Sequence, residues 1–279
     1  MKIVLVGDGW GAIALYNSFI KENKDFGVFT EDFELLGKIK IDGIKLLGRI
    51  EDLEDCLIIC AGYKKIIKKE MLNKNKIINI HYSLLPKYRG YHSTVWAIIN
   101  DEKYLGLTIH EMNEYIDDGD IIYQYKVEND KKKTSEEYML EFNKFIEKNA
   151  FRIIEKYIKK EIIPIKQNKK DASWVGKRNI EDCKINFESN IEELKSFFRA
   201  LVKPYPLPYI EVKGIKYEIL DFSFHPSDCK SHIGRVLNID DEGVYIRIKD
   251  GYLILKKLYN SGNEYSANEI INKIGIKLL

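Results

Sequence analysis

The chain has 279 residues, enough for two domains or one large one. Its 45 Lys and Arg residues nearly balance 43 Asp and Glu residues, and the net charge of +2 gives no electrostatic reason to expect nucleic acid as the main partner. No apolar run approaches the roughly 18 residues of a membrane helix, and Asp8 comes too early for a signal peptide. The four cysteines lack metal-ligand spacing, so a cytoplasmic protein with reduced thiols and no metal is expected.

A buried strand opens the chain and runs into a glycine turn at residues 7–12. This turn is a weak GxGxxA pattern, typical either of the first turn of any βαβ unit or of a dinucleotide-binding site. Glu31 or Asp32 lies where a ribose-binding acid would fall. An NAD-dependent Rossmann oxidoreductase is therefore the alternative from a different enzyme class.

Short apolar runs at residues 26–30, 48–53 and 57–60 predict strands that alternate with helical segments. Such alternation is typical of a doubly wound, mostly parallel sheet. The first half of the chain is therefore predicted to be an α/β, Rossmann-like domain.

A further buried strand ends in a polar run that begins at Asn79. Because side chains alternate along a strand, Asn79 and His81 share one face. Three carboxylates at positions 117, 118 and 120, broken by a glycine, predict a tight turn. If Asn79, His81 and Asp117 converge, they supply a hydrogen-bond donor for an oxyanion, a base and an orienting carboxylate, as acyl transfer to nitrogen requires.

The second half of the chain has a different predicted secondary structure. A capping-box pattern at residues 134–137 predicts a long helix, and polar, turn-rich residues near 165–171 predict a boundary. A helix stopped by Pro204 and several strand-like runs separated by Asp-Gly turns then predict a small antiparallel β domain. The predicted domains are a catalytic domain at 1–165, a linker at 166–185 and a β-rich domain at 186–279.

Several of these motifs together resemble the folate-dependent formyltransferase family in order and spacing. They are Asn79-Ile-His81-x-Ser83-Leu-Leu-Pro86-Lys-Tyr-Arg89-Gly90, Gly106-Leu-Thr108-Ile-His110 and Asp117-Asp-Gly119-Asp120-Ile. The family includes glycinamide ribonucleotide, methionyl-tRNA and nucleotide-sugar formyltransferases, which use 10-formyltetrahydrofolate. The resemblance implies that Asn79, His81 and Asp117 are catalytic and that the carboxyl-terminal domain is an OB-like barrel.

The same resemblance implies two binding sites. The residues expected to bind folate are Tyr63, Lys65, Ile66, Ile67, Leu84, Pro86 and Asp120. The residues expected on the acceptor side are Ser83, Arg89, Tyr91, His92, Arg199 and Tyr205. A loop histidine such as His92 is more often a cap or a surface residue than a ligand contact.

The acceptor follows from weaker evidence. A sizeable second domain argues against the glycinamide ribonucleotide enzymes, and the tRNA enzymes carry a longer basic insertion in the first half. The sequence therefore favours the amine of a nucleotide-linked amino deoxysugar, such as dTDP-4-amino-4,6-dideoxyglucose or its 3-amino isomer, made for a surface polysaccharide such as an O-antigen. Methionyl-tRNA formyltransferase is the runner-up, and a folate- or sugar-nucleotide-binding module without turnover is a third reading. The sugar, the amine position, the base and the oligomeric state, for which a homodimer is one candidate, stay open.

Overall fold

The computed structural model describes residues 2–22 and 25–278. They divide into two compact units. The first unit runs through Ala97 and adds Lys103–Glu128 and Glu137–Lys177. The second consists of Ile98–Glu102, Asn129–Glu136 and the chain from Arg178 onward.

The first half of the chain alternates strands and helices. Its strands are β1 (Lys2–Gly7), β2 (Phe26–Phe29), β3 (Lys45–Leu46), β4 (Cys56–Ala61), β5 (Lys76–His81), β6 (Arg89–Gly90), β7 (Tyr104–Glu111), β8 (Ile121–Glu128) and β9 (Trp174–Val175). Its helices are α1 (Gly9–Ile20), α2 (Phe33–Asp42), α3 (Lys69–Lys74), α4 (Ser93–Ile99) and α5 (Ser135–Ile158). Of the helices in the described chain, none combines the length and the apolarity required to cross a bilayer.

The main sheet has seven strands in the order β3-β2-β1-β4-β5-β7-β8. Neighbouring strands from β3 to β5 are parallel to one another. Strand β7 is antiparallel to both of its neighbours, β5 and β8. All six residues of β4 are buried, as expected for a parallel strand covered on both faces. The strand order reverses between β1 and β4, and open sheets of this kind bind ligands beyond the carboxyl ends of strands at such a reversal.

One predicted strand is wrong. Residues 48–53 form bends and turns, and the strand next to β2 is the short β3 instead. The cause is local: the Asp32 carboxylate caps α2 by accepting the Leu35 N–H, and Gly43 ends that helix in a left-handed conformation at φ 66°. The chain therefore returns to the sheet at Lys45, before the predicted run begins.

The second unit is built on an antiparallel sheet. Its strands are β10 (Tyr209–Val212), β11 (Ile215–Pro226), β12 (Val236–Asp240), β13 (Gly243–Ile248), β14 (Gly251–Asn260) and β15 (Asn263–Ser266), and its helices include α6 (Ile191–Ala200) and α7 (Ala267–Ile270). The strand order is β10-β11-β14-β13-β12, with β15 paired to β14. An α/β domain with a mostly parallel sheet, followed by a smaller antiparallel β domain, is thereby confirmed.

Candidate functional site

The polar face predicted on β5 lies where the sheet changes from parallel to antiparallel. In the register of β5 with β7, Asn79 pairs with His110 and His81 with Thr108. Directly opposite residues in an antiparallel pair project their side chains to the same face. The Asn79 Nδ2 atom accordingly lies 3.3 Å from His110 Nε2.

Asp117 reaches this face from the loop between β7 and β8. Its Oδ2 lies 3.5 Å from His81 Nδ1, and its Oδ1 lies 3.4 Å from His110 Nε2 and 3.5 Å from Asn79 Nδ2. The Gly90 N–H donates to Oδ2 at 2.9 Å. The structure therefore gathers Asn79, His81 and Asp117, as the sequence predicts, and adds His110 as a fourth member.

Backbone carbonyls fix the orientation of both imidazoles. His81 Nε2 lies 2.8 Å from the Tyr88 carbonyl oxygen, and His110 Nδ1 lies 2.7 Å from that of Glu111. Because a carbonyl oxygen only accepts, each of these nitrogens carries a proton. The other nitrogen of each ring, Nδ1 of His81 and Nε2 of His110, faces the Asp117 carboxylate.

Burial and charge set the protonation of this cluster. Burial lowers the pKa of His81 below its ordinary value, against the opposing effects of the Asp117 charge and the Tyr88 carbonyl. Burial alone would raise the pKa of Asp117, but the adjacent His110 ring, the His81 ring and the Gly90 N–H lower it to about 2. At neutral pH the cluster thus holds a neutral His81 imidazole beside an ionised carboxylate.

A second network lies behind Asp117. The Arg89 side chain is only 4% exposed, and its Nη1 lies 2.6 Å from Asp118 Oδ1. Its Nη2 donates to Gln167 Oε1 at 2.7 Å, and Gln167 Nε2 donates to the carbonyl oxygens of Asp117 and Gly119 at 2.7 and 2.8 Å. Sequence reasoning missed Gln167, because it stands between Lys166 and Asn168 in a stretch whose composition indicates only a solvated connection.

The predicted folate residues lie on the segments around this cluster. Ile66 is 92% exposed, whereas Ile67 is buried, and Lys65 is exposed and paired with Glu31. Tyr63, Leu84, Pro86 and Asp120 are half-buried. An ion pair of 3.0 Å between Lys69 and Glu114 joins the segment after β4 to the loop that carries Asp117.

The predicted acceptor residues differ in what their side chains already bind. Ser83 is buried and its hydroxyl donates to the Lys87 carbonyl at 2.7 Å. Tyr91 is 49% exposed and its hydroxyl donates to the Lys64 carbonyl at 3.3 Å. The carbonyl of His92 accepts the N–H of Trp96 in the first turn of α4.

Arg199 and Tyr205 belong to the second unit. Arg199 donates to the Lys133 carbonyl at 3.1 Å and lies 3.6 Å from Asp101 Oδ1. Burial raises the pKa of the Tyr205 hydroxyl.

A cavity of about 460 Å³ opens beyond the carboxyl ends of β1, β2 and β4. It is lined by Asp8, Phe29, Glu31, Asp32, Phe33, Tyr63, Lys64 and Lys65. The Gly9 N–H of the glycine turn donates to Asp32 Oδ2 at 3.1 Å. A carboxylate thus lies where the pyrophosphate of a dinucleotide would bind, and the repulsion argues against the oxidoreductase alternative. Within residues 2–22 and 25–278, no three His, Cys, Asp or Glu side chains are grouped as metal ligands.

Comparison with known proteins gives a consistent result for both halves of the chain. The Formyl transferase family profile matches residues 44–154, and the profile for the Formyl transferase C-terminal domain matches residues 178–275. The methionyl-tRNA formyltransferase of Malacoplasma penetrans is 31% identical over 239 residues, which cover 83% of this chain and 75% of that protein.

Two solved structures share the architecture. The N-formyltransferase of Helicobacter canadensis, in complex with folinic acid and dTDP-3-aminofucose, is 23% identical with a TM-score of 0.74, over 93% of this chain and all of that one. A 4-N formyltransferase from Francisella tularensis is 25% identical with a TM-score of 0.62, over 77% of this chain and 95% of that one.

Proposed function

The chain belongs to the formyltransferase family, and from this premise we propose that it transfers the formyl group of 10-formyltetrahydrofolate to the amine of a nucleotide-linked amino deoxysugar. The observation that carries the chemistry is the convergence of Asn79 Nδ2 and His81 Nδ1 on the Asp117 carboxylate, each 3.5 Å from one of its oxygens. The acceptor rests on charge and on the cavity described above.

In the proposed reaction the neutral amine attacks the formyl carbon. A carbon–nitrogen bond forms while the carbonyl electron pair moves to oxygen, and an Asn79 N–H stabilises that oxyanion. His81 accepts the amine proton on Nδ1, the nitrogen that its bond to Tyr88 leaves available. The ionised Asp117 stabilises the resulting imidazolium. Collapse reforms the carbonyl and breaks the bond to N10 of the folate, and the His81 imidazolium gives its proton to N10, leaving the N-formyl sugar and tetrahydrofolate.

The folate would lie between the segment after β4 and the loop that carries Asp117. These two segments are joined by the Lys69–Glu114 ion pair. They leave large apolar side chains uncovered: Ile66 is 92% exposed, Tyr115 69% and Ile116 67%. A flat ring system can bury such side chains, and exposed apolar surface beside a polar cluster is typical of a ligand site.

The base of the acceptor's nucleotide would occupy the cavity beyond β1, β2 and β4. Tyr91 connects the two places, because it directly follows Gly90, which binds Asp117, and bonds to Lys64 at the cavity. Phe29 offers an aromatic face for a base, whereas Asp8, Glu31 and Asp32 would repel phosphate and Lys65 is already paired with Glu31, so the diphosphate would lie outside this cavity. Arg89 is also unsuitable for the diphosphate, because its guanidinium is buried against Asp118.

Charge separates the sugar acceptor from the second candidate, methionyl-tRNA. The identity to the Malacoplasma penetrans enzyme favours tRNA. However, residues 178–279 hold 15 Lys and Arg against 15 Asp and Glu, so this part of the chain has no net charge. RNA binding depends on neutralising phosphates with clustered Lys and Arg, and a balanced domain provides little of that attraction.

The test is a mass-spectrometric assay of the purified protein with 10-formyltetrahydrofolate and a panel of dTDP-linked 3-amino and 4-amino deoxysugars. We expect one sugar to gain a single formyl group, and Asn79→Ala to lower turnover by about a hundredfold or more, as loss of one oxyanion donor typically does. Formylation of methionyl-tRNA in a parallel reaction, with no sugar product, would contradict the sugar acceptor and identify methionyl-tRNA as the acceptor instead. Near-full turnover by Asn79→Ala or His81→Ala would contradict the mechanism.

A further inference from the structure

We propose that Gln167 is a positioning residue for the reaction: its side-chain amide holds the backbone of the Asp117 loop and thereby fixes the carboxylate between the two imidazoles. The inference rests on the proposed function, because it concerns the carboxylate to which that function assigns a catalytic role. Gln167 itself touches neither His81 nor His110 in the contacts described above.

The Gln167 side-chain amide forms three hydrogen bonds, one accepted and two donated. Its Oε1 accepts from Arg89 Nη2 at 2.7 Å, and its Nε2 donates to the carbonyl oxygens of Asp117 and Gly119 at 2.7 and 2.8 Å. Only this orientation of the amide pairs every donor with an acceptor. The residue is 9% exposed, so these bonds are not readily replaced by water.

The two carbonyls that Gln167 holds bracket Asp118. The Asp118 carboxylate in turn binds Arg89 at 2.6 Å. Asp117 adopts a left-handed backbone conformation at φ 51°, which a residue with a side chain disfavours without support. Gln167 therefore binds the backbone of the turn that directs Asp117 toward His81, and Arg89 binds the Asp118 side chain of the same turn.

The segment that carries Gln167 is itself fixed on both sides. Before it, Ile165 and Ile121 exchange backbone hydrogen bonds of 2.8 and 2.9 Å. After it, β9 pairs with β6, and the Arg89 N–H donates to the Ser173 carbonyl at 2.8 Å. Gln167 is thus a rigid support and can transmit its position to the loop.

A small displacement of the Asp117 carboxylate is expected to matter. Its two oxygens lie 3.4 to 3.5 Å from His81 Nδ1 and His110 Nε2, and the Gly90 N–H holds one of them at 2.9 Å. A displacement of about 1 Å in a reacting group can lower a rate a hundredfold without weakening binding. Gln167 is therefore expected to influence kcat far more than KM.

The test compares Gln167→Ala with Asn168→Ala. The Asn168 amide is exposed and, among the described residues, forms its hydrogen bonds with Lys170 and Asp171 of its own turn. Rates are measured with whichever acceptor the full protein formylates. We expect Gln167→Ala to lower kcat by about tenfold to a hundredfold with both KM values within about threefold, and Asn168→Ala to leave both unchanged.

A second readout needs no acceptor. The imidazole signals of His81 are titrated by NMR in the free protein, where Asp117 raises and His110 lowers the pKa of this ring. We expect the pKa of His81 to move further down in Gln167→Ala, because the carboxylate has moved away. Failure of the sugar assignment would leave this measurement intact, so the two proposals fail separately.

Two results would overturn the role of Gln167. One is a Gln167→Ala protein with a kcat within twofold of the unaltered protein and an unchanged His81 titration, which would leave Gln167 with a structural role only. If Gln167→Ala does not fold, Gln167→Glu decides, because it keeps the acceptor for Arg89 and removes both donated bonds. A kcat of Gln167→Glu equal to that of the unaltered protein is the other overturning result.

Discussion

Replacing Asp117 by asparagine tests the centre of the site with the least change in shape. The substitution removes one negative charge that lies 3.5 Å from His81 Nδ1 and 3.4 Å from His110 Nε2. An amide keeps an oxygen for the Gly90 N–H but cannot stabilise an imidazolium. We expect kcat to fall by at least about a hundredfold, the usual contribution of a positioned acid–base pair.

The same substitution has a calculable effect on stability. Asp117 has its pKa lowered from an ordinary 3.8 to about 2. Since the folded pKa lies below the unfolded one, the stabilisation is complete above pH 4 and is lost as the pH falls through 2, and its size is about 2 kcal/mol. The free energy of unfolding of Asp117→Asn should therefore fall less between pH 5 and pH 2, by about that amount, than that of the unaltered protein.

Tryptophan fluorescence during denaturant unfolding measures this loss of unfolding free energy in the first unit, which contains Asp117, because Trp10, Trp96 and Trp174 all lie there. Glu54→Gln is the control: it neutralises an exposed carboxylate of the first unit that pairs with Lys74, away from the proposed site, and should leave kcat unchanged. The acidic limb of the kcat/KM profile should move to lower pH in Asp117→Asn, because the carboxylate raises the pKa of His81. More than a tenth of normal kcat with an unmoved pH profile would refute the assigned role.

Further substitutions test how the backbone supports the site. Gly90→Ala should destabilise the first unit by several kcal/mol and lower activity, because a Cβ would lie 2.3 Å from the Val175 carbonyl at φ 105°; thermal unfolding and the transfer assay check this. In Gly11→Ala a Cβ would lie 2.4 Å from the Tyr82 hydroxyl, so the variant should be destabilised, and less so in a Tyr82→Phe background. Additive losses in that double-mutant cycle would argue against the contact. His81→Ala should lower kcat at least as much as Asp117→Asn, and a kcat of His81→Ala equal to that of the unaltered protein would exclude His81 as the base.

Part of this arrangement follows from sequence alone. Strand alternation places Asn79 and His81 on one face, and the carboxylate-rich turn supplies Asp117, because both patterns are local. His110 joins them only through the antiparallel register of β7 with β5, in which it faces Asn79, and no local pattern encodes a register between separate strands. Gln167 lies 50 positions from Asp117 and donates to its backbone carbonyl. Because every residue has a backbone carbonyl, no residue type in the sequence marks this contact.

The change of strand direction at β5 explains why the site needs this remote support. Because β7 runs antiparallel to β5, it ends beside the start of β5, where the Met112 N–H donates to the Ile77 carbonyl at 2.8 Å. The following loop must fold back over the face of the sheet before Asp117 can meet His81 at the other end of β5. A loop that crosses a sheet face has no strand to hold its backbone groups, and buried carbonyls without donors are costly. The Gln167 amide supplies those donors at the point where the loop turns, which is why a residue outside every recognised motif can set the geometry of the site.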